Sequence, residues 1–363
     1  MKSKNLIILA IITVAVILAA VLADKNRAPS STLDKQVLFP GLSEQINDVH
    51  TMALQKFGET LTLARQGDDW VIEEADNYPA NFGRIKESVI AVSKLEILSS
   101  KTSNPKLYSR LGVEDPASEK SNSLLLELRD ASGNSMASVI VGKIRHSKSA
   151  DSQPGLYVRL PGAEAALLVE GRLELSADIR DWFDKSLVDI DGARISRIVI
   201  ERDDAPGVSL HREKDTDDFS LDNIPEDKEM QSAVIITRMS TMLESLAAEG
   251  VVAATRMDGN VVSTTTLTTF DGLTVTITNA VIDEASYASF SFEANEVEQA
   301  ASEDEATAME DKMSVTEEAA ALNARHTGWA YRIPGYKFEL LDEALEDLVR
   351  APSGDDAEEP GSQ

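Results

Sequence analysis

Along the chain, hydrophobic and polar positions change period several times. Over residues 6–23 they do not alternate at all. Thr13 is the only polar side chain in an apolar run of roughly 18 residues, which as a helix at about 1.5 Å per residue nearly crosses a hydrocarbon layer about 30 Å thick. Helix is the form in which such a run satisfies its own backbone in lipid. Beyond it the pattern breaks into short runs. Residues 52–56, Leu61-Thr62-Leu63 and Trp70-Val71-Ile72 read as strands separated by Gly58 and Gly67-Asp68-Asp69. Ile85, Val89 and Val92 then fall four and three apart and predict a helix with one apolar stripe. Residues 124–130 and 139–142 return to strand around the turn Asp130-Ala131-Ser132-Gly133-Asn134.

The same order of elements begins again near Ile195, displaced by roughly 150 residues, a domain-scale duplication far longer than a solenoid repeat. Ile198-Val199-Ile200, Val208-Ser209-Leu210 and Phe219-Ser220-Leu221 are the strands, and Ile235, Met239, Met242 and Leu246 the helical stripe. Residues 264–270 and the alternation of Leu273, Val275 and Ile277 with Thr274, Thr276 and Thr278 form a hairpin about Asp271-Gly272. Later, Leu156-Tyr157-Val158-Arg159-Leu160-Pro161-Gly162 parallels Trp329-Ala330-Tyr331-Arg332-Ile333-Pro334-Gly335, so Arg159 and Arg332 are expected at matching positions. The displacement has grown there to about 170, which places an insertion in the second copy. Residues 294–325, where carboxylates alternate with Ala and Ser, fit that insertion and read as a mobile loop with transient helix. The predicted organisation is an anchor at 1–24, a linker at 25–41, a first repeat at 42–190, a second at 191–350 and a disordered acidic tail at 351–363. The fold class is α+β: a transmembrane helix followed by two similar domains, each an antiparallel sheet packed on a helix.

Charge orients this arrangement. Lys2 and Lys4 precede the apolar run and Asp24 follows it, so the N-terminus is expected in the cytoplasm and the body outside, on the inner membrane. Val21 and Ala23 would also suit a cleavage site before Asp24, but the run exceeds the 7 to 15 residues usual for a signal peptide, which favours an uncleaved anchor. The net charge of -27 repels phosphate backbones and makes nucleic acid an improbable partner. With no cysteine, an exported body must rest on packed cores, and 42% hydrophobic residues supply material for two.

Tyr78-Pro79-Ala80, Lys101-Thr102, Tyr108, Leu111-Gly112-Val113-Glu114-Asp115-Pro116, Gly142-Lys143 and Tyr157-Val158-Arg159 together resemble the family catalogued as domain of unknown function 4340. The resemblance covers about residues 70–160. It implies a bacterial protein with one N-terminal membrane helix, often encoded beside ABC transporter components of the gliding-motility kind. It implies no reaction, cofactor or catalytic residue. The second copy has no equivalent of residues 111–116; Gly250-Val251-Val252 follows its helix instead.

Common catalytic signatures are missing: no Gly-x-Ser-x-Gly, His-Glu-x-x-His, Walker loop or Gly-x-Gly-x-x-Gly occurs. His50, His146, His211 and His326 stand apart from one another and from metal-ligand spacing, and surface or strand-edge roles are expected for them. The irregular acidic run lacks the Asp-x-Asp-x-Asp-Gly pattern of a calcium loop. Arg159 and Arg332, each after an aromatic residue, are candidate contacts for an anionic ligand or partner, as are Lys101, Tyr108 and Arg110. The simpler alternative is an Arg stem lying on a ring and paired with a carboxylate. Tyr157, Trp329 and Tyr331 could form a stacking platform, although core filling is the default. The expected function is a non-catalytic extracytoplasmic accessory or adaptor subunit of an ABC-type envelope transport system, working without a cofactor and partnered by the permease or associated envelope proteins. The alternative is an anchored binding protein for an envelope polymer or lipid, with a carboxylate-dependent hydrolase least favoured.

Overall fold

The computed structural model describes residues 36–145, 155–295 and 313–352, apart from the single positions 204, 215, 217, 223 and 232. The expected anchor at 6–23, His146, residues 296–312 of the insertion and the tail from 353 lie outside the described residues. Among the described residues no helix is long and apolar enough to cross a membrane. The fold is α+β, with few helices and antiparallel pairing throughout the sheets.

The first sheet contains β1 (Gln36–Val37), β2 (Thr51–Lys56), β3 (Glu59–Gln66), β4 (Asp69–Ile72), β5 (Tyr78–Pro79), β6 (Glu96–Thr102), β7 (Leu124–Arg129), β8 (Ser135–Arg145), β9 (Gly155–Arg159) and β10 (Ala166–Glu170). Their order is β1-β6-β10-β9-β8-β7-β2-β3-β4-β5. Period-two alternation decides what is buried: Leu124, Leu126 and Leu128 face the core while Leu125, Glu127 and Arg129 point the other way. Helix α1 (Phe82–Ser93) lays Ile85, Val89 and Val92 on that inner face as its spacing predicts, and the Asn81 side chain caps it by accepting from the Arg84 N–H.

Residues β11 (Ser186–Val188), β12 (Ile195–Glu201), β13 (Val208–His211), β14 (Ser220–Leu221), β15 (Glu229–Met230), β16 (Leu246–Ala247), β17 (Gly250–Ala253), β18 (Val261–Thr269), β19 (Leu273–Ile282), β20 (Ala285–Ala294), β21 (Trp329–Arg332) and β22 (Val349–Arg350) follow. Eight of them form the second large sheet, in the order β14-β13-β12-β18-β19-β20-β21-β17. In the first sheet, β4-β3-β2-β7-β8-β9-β10-β6 runs in the corresponding order, strand for strand.

That order corrects the expected match of Arg159 with Arg332. Arg159 ends β9, whose counterpart by strand order is β20, whereas Arg332 ends β21, the counterpart of β10. The two heptapeptides agree because a strand ending in Arg-aliphatic-Pro-Gly suits two different continuations. Pro161-Gly162 lies in the turn from β9 to β10, with Gly162 at φ 75°, and Pro334-Gly335 starts a helix.

Three other expectations change. Residues 36–41 are not linker: Gln36 and Val37 pair with Ile97 and Glu96, and Leu38 is buried. The insertion ends in an ordered helix, here α4 (Val315–His326). The predicted loop range therefore reaches too far, because acidic composition hides a Ser314–Glu317 capping box and an inward stripe of Ala319, Leu322 and His326. The helix of the second half, α3 (Ala233–Ser240), stops early; Leu246 belongs to β16 and pairs with Val188 of β11. α2 (Tyr108–Leu111) is a single turn, and α5 (Gly335–Leu341) and α6 (Leu345–Leu348) close the described chain.

Two cores were expected, but the inner faces share one contiguous apolar cluster. It passes from Leu54, Leu63 and Leu126 through Trp182, Phe183, Leu187 and Ile190 to Ile198, Val275, Ile277 and Phe290. Residues near the expected boundary at Asp191-Gly192 are wedged in place, since the Gly192 N–H donates to Glu244 Oε1 at 2.8 Å and a Cβ there would stand 3.0 Å from the Ser240 carbonyl oxygen.

Leu126 is fully buried at mid-sheet, so Leu126→Ala is expected to lower unfolding free energy by about 2–5 kcal/mol in urea titrations. Thr276→Ala, on the outer face of β19, should stay within about 0.5 kcal/mol. Replacing residues 294–325 by a Gly-Ser link removes buried Ala319 and the Arg194–Glu318 ion pair (2.8 Å) and should cost more than about 2 kcal/mol in the same measurement.

Candidate functional site

The outer face of the first sheet carries the segment between β6 and β7. Asn104 accepts from the Lys106 N–H, Pro105 opens a 3-10 turn, and α2 follows until Gly112, whose φ of 71° ends it. The chain then turns back through Asp115, whose Oδ1 accepts from the Ala117 N–H at 3.0 Å. Glu114 Oε1 accepts from the Asn122 N–H at 3.0 Å, and its carbonyl accepts from the Ser123 hydroxyl at 2.9 Å. The segment is therefore a braced hook.

The hook docks by burying Tyr108 and Val113 against Ile140 and Ala166, flanked by Leu111, Leu125 and Tyr157. The Arg159 guanidinium lies 4.7 Å from the centroid of the Tyr108 ring, and its Nε and Nη1 donate to the carbonyls of Val113 (2.9 Å) and Ala163 (3.2 Å). The Tyr108 hydroxyl donates to the Glu164 carbonyl at 2.5 Å. Lys143 Nζ donates to the carbonyls of Ser109 (3.2 Å) and Arg110 (3.3 Å). At Gly142 an added Cβ would stand 2.5 Å from the Leu111 carbonyl oxygen, which is why no side chain fits there.

Of the five nominated residues, Tyr108 and Arg159 come together in this hook. Arg110 lies on its solvent side and Lys101 on β6, both exposed. Arg332 is not part of it. It sits on β21 opposite Gly250, with Nε 3.8 Å from a Glu249 carboxylate oxygen, the carboxylate-paired arrangement weighed above. Arg159 instead pairs with main-chain carbonyls. The three residues of the supposed stacking platform are divided, Tyr157 lying beneath the hook while Trp329 and Tyr331 sit between the sheets.

A buried polar chain there was missed in the sequence. His326, expected at the surface or a strand edge, is only 1% exposed, because the preceding capping box makes it the inward end of α4. Its Nδ1 lies 3.0 Å from the Tyr331 hydroxyl, which lies 3.4 Å from that of Tyr78, and its Nε2 lies 3.1 Å from the Leu187 carbonyl oxygen. His211 is half-exposed and bonded through Nδ1 to Asp222 at 2.5 Å.

Two grooves accompany these features. One, of about 220 Å³, runs beside α1 between Arg65, Trp70, Phe82 and Lys86; another, of about 570 Å³, lies between Phe57 and residues 175–179. Among the described residues no group of three or more His, Asp or Glu is placed to hold a metal ion.

A family sequence model described as Domain of unknown function (DUF4340) matches residues 70–268, a range that contains the whole hook. The chain belongs to this family. No curated protein matches it. The match runs past the hook into β18, so it takes in β5 to β10 of the first sheet and β12, β13, β14 and β17 of the second, and stops short of β19.

Gly142→Ala should force the hook outward. The expected result is a loss of about 1–3 kcal/mol in stability, with faster hydrogen exchange of the Leu111 to Val113 amides than of those in β2.

Proposed function

We propose that this protein is a non-catalytic accessory or adaptor subunit of an ABC-type envelope transport system, anchored in the inner membrane by residues 6–23 with its body outside the cytoplasm. The observation that carries the reading is how the family's signature residues are used. Arg159, Lys143 and the Tyr108 hydroxyl donate to main-chain carbonyls, so they build a fixed outer surface in place of a reactive centre. Lys101 and Arg110 stand exposed on or beside that surface and are its contacts to a partner. The basic residues before the apolar run and the acidic body support the orientation. The body is, in this reading, a duplicated α+β unit with a boundary near residue 191, supported by the corresponding strand orders. The shared core makes the two units one rigid support.

Purification of the full-length protein from its own membrane in mild detergent should bring the permease with it, and Lys101→Glu with Arg110→Glu should weaken that association at least several-fold. Recovery of the wild-type protein alone, under conditions that keep the permease intact, speaks against the reading. Ile12→Arg should impair membrane insertion, since a central charge costs about 2.5–3.5 kcal/mol on insertion scales. A mature chain starting at Asp24 by mass would remove the anchor.

The groove beside α1 favours the second reading, a binding protein for an envelope polymer or lipid, because Arg65 and Lys86 converge there with Trp70 and exposed Phe82. Phe82→Ala lowering retention on envelope lipids or glycans while sparing permease association would select it.

A further inference from the structure

We infer that the chain Tyr78–Tyr331–His326–Leu187 is an acid-released latch between the two sheets. It joins β5 at the edge of the first sheet to β21 and α4 of the second, and reaches β11, the strand leaving the first half. Alongside it the Tyr78 ring meets Phe183, Trp329 and Tyr331 edge-on at 5.6, 4.8 and 6.0 Å, and the Ala253 N–H donates to the Asp76 carboxylate at 2.9 Å.

Proton placement follows from the partners. The Leu187 carbonyl can only accept, so His326 Nε2 carries the hydrogen and Nδ1 keeps its lone pair. The Tyr331 hydroxyl donates to that lone pair and accepts from Tyr78. A second proton on the imidazole removes this acceptor, and Tyr331 must turn toward the more distant Arg325 carbonyl at 3.4 Å or toward Tyr78, reversing that bond as well.

The surroundings offer the added charge no carboxylate at the ring. From β20 it meets Phe290 and Phe292, with ring centroids 5.9 and 5.8 Å away; from β21 it meets Tyr331, 5.3 Å away, behind which lies Tyr78 of β5. The neighbouring cation on α4 is Arg325, bonded to the Ser186 carbonyl, and Asp184, just before β11, is engaged by that Arg325 at 2.8 Å. Burial, then the Arg325 charge, brings the His326 pKa from 6.5 down to about 4. A depressed histidine pKa means that the open seam binds the proton more readily than the closed one. The latch is therefore fully effective above pH 6.5 and is lost as pH falls toward 4. Between pH 7.5 and 5.0 the shift corresponds to an increase of about 25-fold in the seam-open population.

The test is hydrogen exchange of the full-length protein in detergent at pH 7.5 and 5.0, corrected for intrinsic rates. Seam amides of Leu187, Val188, Thr327 and Tyr331 should open about 25-fold more often at the lower pH while those of Met52 and Leu126 do not change. His326→Gln keeps a donor and an acceptor without a titrating charge and should flatten the response. An unchanged wild-type seam, or core and seam loosening together, would overturn the proposal, as would a Gln variant that keeps the response. Should that variant not fold, the wild-type imidazole signals decide: titration of His326 below pH 5 supports the latch, and titration between 6 and 7 refutes it.

Discussion

Two sheets that each need to cover one apolar face cover them with the same core, and the stretch around Trp182 is the constraint that makes this work. Trp182 is fully buried, stacks beneath the Arg84 guanidinium of α1 at 5.2 Å and donates through its indole N–H to the Ser176 carbonyl at 2.8 Å. After it, Phe183, Leu187, Val188 and Ile190 are buried between the sheets, and β11 pairs with β16, about 60 residues later in the chain. A flexible connector would leave both inner faces partly wet. Burying this one joins them at roughly 25 cal/mol for each square ångström of apolar surface removed from water.

Much of this was legible because it rests on local rules. Period-two alternation located β7, β18 and β19, Gly58 and Asp271-Gly272 located turns, and the four-three spacing of Ile85, Val89 and Val92 located α1. What was not legible depends on pairing. The resemblance of residues 156–162 to 329–335 is a match between local shapes, and no local signal records that β9 and β21 have different neighbours. Likewise the acidic surface of α4 outweighed its capping box in the composition, although Glu318 is held there by Arg194, which also binds Asp271 at 2.9 Å. The site was half legible: the hook's residues were named as a group, but their contacts with carbonyls were not foreseen. A carbonyl partner leaves no trace in the sequence.

The hook shows how a set of charged and aromatic residues can be a packing device. Arg159 supplies a planar fork that reaches two carbonyls while lying on a ring, a geometry lysine would not reproduce. Gly142 permits the backbone approach, and Lys143 fastens the turn from above. In the second half, the shorter segment Ala254–Met257 occupies the corresponding place between β17 and β18, and buried Met257 packs with Val252, Ala280 and Ala330. That segment is much shorter than the hook and is held by one buried side chain. The hook thus marks one outer face of the molecule, that of the first sheet.

The polar chain stands where the edge of one sheet meets the other. Where β5 approaches β17 and β21, both sheets end, and edge strands leave main-chain groups without ladder partners. At that edge the Asp76 carboxylate takes the Ala253 N–H, and on β11 beside it the Leu187 carbonyl takes the His326 imidazole N–H, so both main-chain groups are satisfied by side chains. An apolar residue at position 326 would fill the same volume and leave the Leu187 carbonyl and the Tyr331 hydroxyl each short of a partner. Leaving a buried polar group unsatisfied costs about 1–3 kcal/mol. Histidine serves both, since its two nitrogens act in opposite senses, one donating and one accepting, but only while the ring is neutral. The same choice that closes the seam thereby ties its closure to pH.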